Sequence, residues 1–235
     1  MTISGNLGRP MPPDLEPEFL AIYRLCANQT MTSVERMYAL WQAIRHIHKA
    51  AIKGAIVECG VWRGGSMMMA ALSLLELGED SRELYLFDTY KGMPPPGPED
   101  IRTETGEPAQ LLLEMAQRDT SDVWAVASYD VVSRNMRSTG YPSNRINMVE
   151  GRVEETIPTR APEQIALLRL DTDWYRSTTH ELAHLYPRLA TGGVLIVDDY
   201  GYWRGSRQAT DEYFSNRPLL LNRIDDTGRV AIKPP

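Results

Sequence analysis

The sequence predicts an α/β fold: a doubly wound, mostly parallel sheet of seven strands that ends in a C-terminal antiparallel hairpin. Three observations predict it. Short apolar runs (GAIVECGV, ELYLFDTY, INMVEG, ALLRLDTD and GVLIVDD) recur along the chain from Gly54 onward. Runs this short and apolar, closed by Gly or polar residues, read as strands buried on both faces. Helical segments alternate with them, which makes the sheet parallel. Finally, the runs stop at acids: Asp171 closes one, and Asp198 with Asp199 closes another.

Taken in order, residues 1–18 hold Gly5, Gly8, Pro10, Pro12, Pro13 and Pro17 and predict an irregular arm. Thr32 with Glu35 fits a capping box that opens a helix running to about residue 48. Val34, Met37, Tyr38, Trp41, Ile44 and Ile47 form its apolar stripe at helical spacing. Core packing explains that stripe, and Trp41 with the helix end also fits contact with a second copy. Residues 1–50 therefore form an arm and helical cap, and 51–235 the α/β domain. The first strand is followed by the helix SMMMAALSLLELG and the second strand by a polar, Pro-rich stretch, MPPPGPEDIRTETGE. That stretch lies on the ligand edge, which predicts a mobile lid over 93–127. THELAHLYPRLA is the helix between the fourth and fifth strands. LLLNRID and RVAIKPP are joined by Asp226-Thr227-Gly228, a turn that makes the hairpin.

Composition excludes several classes. Hydrophobic residues make up 43% of the 235, enough for a sizeable core. With 25 basic against 31 acidic residues and no Lys/Arg block, nucleic acid is not the expected partner. No run approaches membrane-spanning length, and Cys26 and Cys59 make no disulfide framework, so a cytoplasmic protein without a membrane partner is expected.

The candidate site lies where the strands end, because open α/β sheets bind ligands beyond the carboxyl ends of their strands. Asp171, Asp198 and Asp199 gathered there repel one another unless a cation holds them. An all-oxygen set suits a hard divalent ion such as Mg²⁺; the alternative is one helix cap and two solvated loop acids. After the first strand, Glu58-Cys59-Gly60-Val61-Trp62-Arg63-Gly64-Gly65-Ser66 is neither a dinucleotide fingerprint nor a P-loop, which disfavours a pyrophosphate. Glu58 repels phosphate and suits an ammonium group. Asp88, ending the second strand, is placed to accept hydrogen bonds from ribose hydroxyls. His180 and His184 share a helix face but lack a third ligand, and Trp174, Tyr175, Tyr200, Tyr202 and Trp203 form an aromatic cluster beside the aspartates.

The runs VECGVWRGGS, LFDTYKGMP, LRLDTDWYRST and GGVLIVDDYG, in this order and spacing, resemble the macrocin O-methyltransferase family. The resemblance implies a Rossmann-like class I fold with S-adenosylmethionine as donor, Mg²⁺ as cofactor and a sugar hydroxyl as acceptor in antibiotic biosynthesis. It further implies that Met31, Glu58, Gly60, Ser66, Asp88 and Asp171 face the donor, with Ser128, Gly151 and Arg152 on the adenine side. Asp171, Asp198 and Asp199 correspond to metal ligands and Asp173 to the general base. A homo-oligomer, dimer or higher, is expected. Two other classes remain: a catechol-type O-methyltransferase for an aromatic diol, and a non-catalytic nucleotide-binding α/β protein.

Overall fold

The computed structural model describes residues 11–235. The first ten residues of the expected arm lie outside them; 11–16 are irregular, and the chain turns helical at Pro17. The elements are α1 (Pro17–Cys26), α2 (Val34–Lys49), β1 (Ala55–Cys59), α3 (Gly65–Glu76), β2 (Leu84–Asp88), α4 (Ala109–Met115), α5 (Tyr129–Ser138), β3 (Ile146–Glu150), α6 (Val153–Thr156), β4 (Ile165–Leu170), α7 (Tyr175–Leu185), β5 (Leu189–Val197), α8 (Arg204–Phe214), β6 (Asn222–Arg223) and β7 (Arg229–Ile232). The seven strands form one sheet in the order β3-β2-β1-β4-β5-β7-β6. The pairs from β3 through β5 are parallel, and β7 pairs antiparallel with both β5 and β6.

Side chains along each strand alternate between two cores, as the pleat requires. Ile56, Leu167 and Ile196 face one core, built with α1, α2, α3 and α5. Val57, Leu168 and Leu195 face the other, beneath α7. The chain leaves β1 in one direction to build β2 and β3 and in the other to build β4 and β5. Their order therefore reverses between β1 and β4, the position where a doubly wound sheet opens a crevice.

Several expectations shift locally. The cap of α2 is Ser33, whose side chain accepts from Arg36 N at 3.1 Å, so the Thr32–Glu35 box does not form. Thr32 Oγ1 instead accepts from Arg169 Nη2 at 2.9 Å. Trp41 is buried against Phe19 and Tyr38, which leaves it in the core and not on a face for a second copy. The helix expected to run to Ala190 ends at Leu185, because Pro187 cannot continue it and Leu189 already begins β5. The turn before β7 is organised by Asp225, whose Oδ1 accepts from Thr227 N at 2.9 Å and Gly228 N at 2.7 Å.

The 93–127 stretch carries α4 and its own small core of Ala109, Leu113, Trp174 and Trp203, with Met93, Val123 and Trp124 packed on it. Asp100, 1% exposed, fastens it: Oδ1 accepts from Tyr175 N and Oδ2 from Gly97 N, both at 2.7 Å. The expected lid thus has a fixed root on α7. Among the described residues no helix is long and apolar enough to cross a membrane.

The first helix, absent from the sequence expectation, is docked through Phe19, fully buried against Tyr23, Tyr38 and Trp41. Phe19→Ala is expected to cost ~3–5 kcal/mol. A denaturant midpoint within experimental error of the parent protein's would mean that α1 does not hold the cap to the sheet.

Candidate active site

The crevice is built first by backbone. Gly60 N donates to Phe87 O at 2.8 Å and Asp171 N to Cys59 O at 2.8 Å, drawing the ends of β2, β1 and β4 together. Gly60 has φ +79, and a Cβ there would lie 2.0 Å from Asp171 O, so only glycine fits this approach. Asp88 then fixes the loop after β1. Its Oδ2 accepts from Val61 N at 2.7 Å and Trp62 N at 3.2 Å, and its Oδ1 from Tyr90 N at 2.7 Å. A carboxylate offers about four lone-pair sites, so Asp88 can brace this loop and still accept from a ligand.

Glu58, Asp171, Asp173, Asp198 and Asp199, five carboxyls, gather at these strand ends, with Arg36 and Arg169 ion-paired among them. Arg169, 2% exposed, donates from Nη1 to Glu58 Oε1 and Asp171 Oδ2, each at 2.5 Å, and from Nη2 to Asp198 Oδ1. Arg36 bonds the other Asp198 oxygen and reaches Asp225 Oδ2 at 2.9 Å. Both Asp198 oxygens are therefore committed to guanidiniums. Oxygens of Asp171, Asp173 and Asp199 lie within 4.8 Å of one another and form the group able to hold an ion. The expected ligand trio thus gathers with Asp173 in the position assigned to Asp198.

Two guanidiniums do not neutralise five carboxyls. Burial pushes Glu58 up to about 7 against the pull of Arg169. Burial likewise raises Asp173 to about 7, with Asp171 and Asp198 adding repulsion and a hydrogen bond with Asp199 opposing it. Burial, Asp173 and Asp198 hold Asp199 well above the usual carboxylate range. Asp173 has φ +68, a left-handed conformation that Asp tolerates and that aims its carboxyl at the group. Glu58 Oε2 and Asp199 Oδ2 are buried without a hydrogen-bond partner. Such oxygens are costly unless a cation or donor meets them, so the residues fit a divalent ion beside Asp199 and an ammonium beside Glu58.

Two contiguous cavities share Met31, Trp62, Asp122, Asp171 and Asp173 in their walls. The first, about 740 Å³ counted to its open mouth, adds Gly60, Asp88, Gly151 and Arg152. The second, about 1440 Å³ on the same basis, adds Ser66, Asp198, Asp199, Arg102 and Tyr202. Ser128, expected on the adenine side, is an exposed cap of α5 outside both walls; Asp122 and Ala125 from the same stretch line the first cavity instead. Gly151 N donates to Asp88 O at 3.0 Å, which sets the floor beside that acid. The aromatic cluster divides: Trp174 and Trp203 pack edge to face at 5.0 Å, Tyr175 and Tyr200 bond Glu212 and Asp211, and Tyr202 and Trp203 line the second cavity. His180 Nε2 donates to Ile157 O at 3.0 Å and joins no metal-ligating group among the described residues.

Arg36 and Arg169 were missed from sequence. Arg169 left a signal: a lone basic residue inside LLRLD, two positions before Asp171 and so on the same face. Arg36 left none, since a charged residue in a first helical turn is ordinary.

A seven-stranded doubly wound sheet with an acid-lined crevice at the β1/β4 reversal defines a Rossmann-like methyltransferase fold. The chain belongs to the macrocin O-methyltransferase (TylF) family, which it matches over residues 24–231. It is 31% identical over 184 residues to demethyldecarbamoylnovobiocin O-methyltransferase of Streptomyces niveus, covering 78% of this chain and 67% of that one. It is 29% identical over 218 residues to the 8-demethyl-8-(2,3-dimethoxy-alpha-L-rhamnosyl)-tetracenomycin-C 4'-O-methyltransferase of Streptomyces olivaceus, covering 92% and 80%. The solved structure of the O-methyltransferase NovP superposes with a TM-score of 0.76 at 30% identity, over 88% of this chain and 83% of NovP.

The raised Glu58 has a consequence for stability. Its folded value, about 7, lies above its ordinary 4.5, so the folded state holds that proton more tightly than the unfolded chain. The contribution is full below about pH 4.5 and is lost as pH rises through about 7. In ligand-free, metal-free protein, wild type should therefore lose stability relative to Glu58→Gln across that window. Melting temperatures of the two proteins that keep a constant difference from pH 4.5 to 7 would refute the assignment.

Proposed function

We propose that this chain transfers a methyl group from S-adenosylmethionine to a hydroxyl of a sugar, carried on a natural product or as an activated sugar, with Mg²⁺ at the aspartate group. The observation that carries this reading is the uncompensated carboxyl excess, with orphaned oxygens on Glu58 and Asp199, in the crevice of a macrocin O-methyltransferase family member. A sulfonium donor with an ammonium tail and a divalent ion are the cations that such a crevice suits. The sugar is supported by the relatives: one is named for a rhamnosyl-bearing tetracenomycin C and another for demethyldecarbamoylnovobiocin.

Each residue then has a task. Asp88 and Gly60 form the wall for the donor's nucleoside, Met31 and Trp62 line both cavities and Ser66 the second, and Glu58, buried behind these walls, keeps an unpartnered Oε2 for the donor's ammonium. Gly151 and Arg152 bound the first cavity on its adenine side. Asp171 and Asp199, with Asp173 in reach, would hold the ion, and Asp198 keeps both arginines in place. A bound divalent ion supplies Lewis acidity, which lowers the pKa of a neighbouring hydroxyl. Asp173 lines both cavities, so it stands between donor and acceptor, and we assign it the hydroxyl proton, which it later releases to water. The catechol reading has Tyr202 and Trp203 in the wall of the second cavity, but it is supported less because a curated relative is named for a rhamnosyl-bearing acceptor.

Removing divalent ions with a chelator should abolish methylation of a sugar-bearing acceptor, and Mg²⁺ should restore it. Full turnover by thoroughly stripped protein would eliminate the metal from the reading. Asp173→Asn should leave donor affinity intact while lowering kcat and kcat/KM together by ~10²–10⁴-fold, the usual share of a positioned base. Initial-rate kinetics in which only the acceptor KM rises would make Asp173 a binding residue.

A further inference from the structure

The second cavity is lined with carboxyls on its strand side, but its lid side presents Arg102. The other arginines lining the two cavities face carboxylates: Arg36 pairs with Asp198 and Asp225, and Arg152 lies 3.5 Å from Glu154. Among the described residues Arg102 forms no ion pair; its guanidinium lies over aromatic rings, 5.2 Å from the centroid of Tyr202 and 6.0 Å from that of Trp203. Its Nε is buried and has no hydrogen-bond partner. A buried donor on a permanent cation is costly to leave unmet.

The backbone holds this side chain in place. Arg102 pairs with Trp203 in an isolated antiparallel bridge, its N donates to Glu107 O at 2.9 Å, and Thr103 N donates to Tyr202 O at 2.9 Å. On the preceding residue, Ile101 O accepts from Arg204 N at 2.9 Å. The backbone of Arg102 is thus fixed against Tyr202 and Trp203, and its side chain lines the same cavity as the aspartates. Asp171, Asp173 and Asp199 do not pair with it, so the cavity holds a guanidinium without an ion-pair partner as well as its carboxyls. A planar fork of N–H donors suits phosphate or carboxylate, which it can meet with two parallel bonds.

We propose that Arg102 is a specificity-determining residue that binds an anionic group, phosphate or carboxylate, carried by the sugar acceptor away from the hydroxyl that is methylated. This rests on the sugar reading above and narrows its acceptor to a bipolar molecule. Its hydroxyls lie at the aspartate wall and its anion at the lid. Tyr202, exposed beneath the guanidinium, supplies the face along which the linking portion lies.

The test is calorimetry with Mg²⁺ and S-adenosylhomocysteine present, using three probes: thymidine diphosphate rhamnose, 4-carboxyphenyl rhamnoside and neutral methyl rhamnoside. Wild type should bind at least one anionic probe about tenfold or more tighter than the neutral one. In Arg102→Gln that preference should vanish. Arg102→Met, which keeps the aliphatic length over Tyr202, serves if the first variant does not fold, and S-adenosylhomocysteine affinity reports folding in both. A gain for the diphosphate alone identifies an activated sugar, and a gain for the carboxyphenyl probe alone identifies a glycoside with an acidic aglycone; either supports the assignment. A wild type without preference, or a preference that survives both substitutions, overturns it while leaving the sugar reading intact. If no rhamnoside binds although S-adenosylhomocysteine does, the sugar reading falls and this assignment falls with it.

Discussion

One buried guanidinium organises the functional end of this fold. Arg169 projects from β4 and joins Glu58 on β1, Asp171 at its own strand end, Asp198 after β5 and Thr32 before α2. Only arginine offers donors enough, in a rigid fork, for four partners at once. Because Glu58, Asp198 and Arg169 are each under 3% exposed, removing the cation would strand buried charges, a loss of ~3–5 kcal/mol by the usual cost of breaking such a pair. Arg36 extends the same network from α2 through Asp198 to Asp225 and the hairpin turn. The helical cap is thereby held to the strand ends by charge as well as by the apolar stripe of α2.

That arrangement also leaves the strand ends with more carboxyls than guanidiniums. The two arginines use up both oxygens of Asp198, one of Glu58 and one of Asp171. Glu58 Oε2 and Asp199 Oδ2 are left buried without a partner, and burial favours the protonated forms of both side chains. On the function proposed above, binding of a cationic ligand and ion would release protons from these carboxyls. The fold supplies the geometry through backbone contacts at Gly60 and Asp171, and the side chains supply the unmet charge.

Much of this was legible in the sequence because it rests on local patterns. The strands announce themselves as apolar runs, and period two makes each of them bury both faces, which is why Ile56 and Val57 belong to different cores. Gly60, Asp88, Asp171 and Asp199 stand at strand ends, where topology alone assigns a ligand edge. What was not legible depends on tertiary partners. Asp198 and Asp199 are adjacent and identical in type, and only the positions of Arg36 and Arg169 decide that the first is occupied and the second left open. Ser128 stands before a helix that sequence reasoning did not foresee, so its role as a cap was hidden. Arg102 sits in a Pro-rich stretch read as loop, and its unmet Nε emerges only when Tyr202 and Trp203 close beneath it.

The most direct measurement is electron paramagnetic resonance of Mn²⁺ added stepwise to metal-stripped protein. One equivalent should lose its free-ion signal in wild type, and Asp199→Asn should return that signal to the free-ion level while its circular dichroism stays native. Mn²⁺ that remains free in the wild type, or that binds equally well to Asp199→Asn, would contradict a cation site at these strand ends.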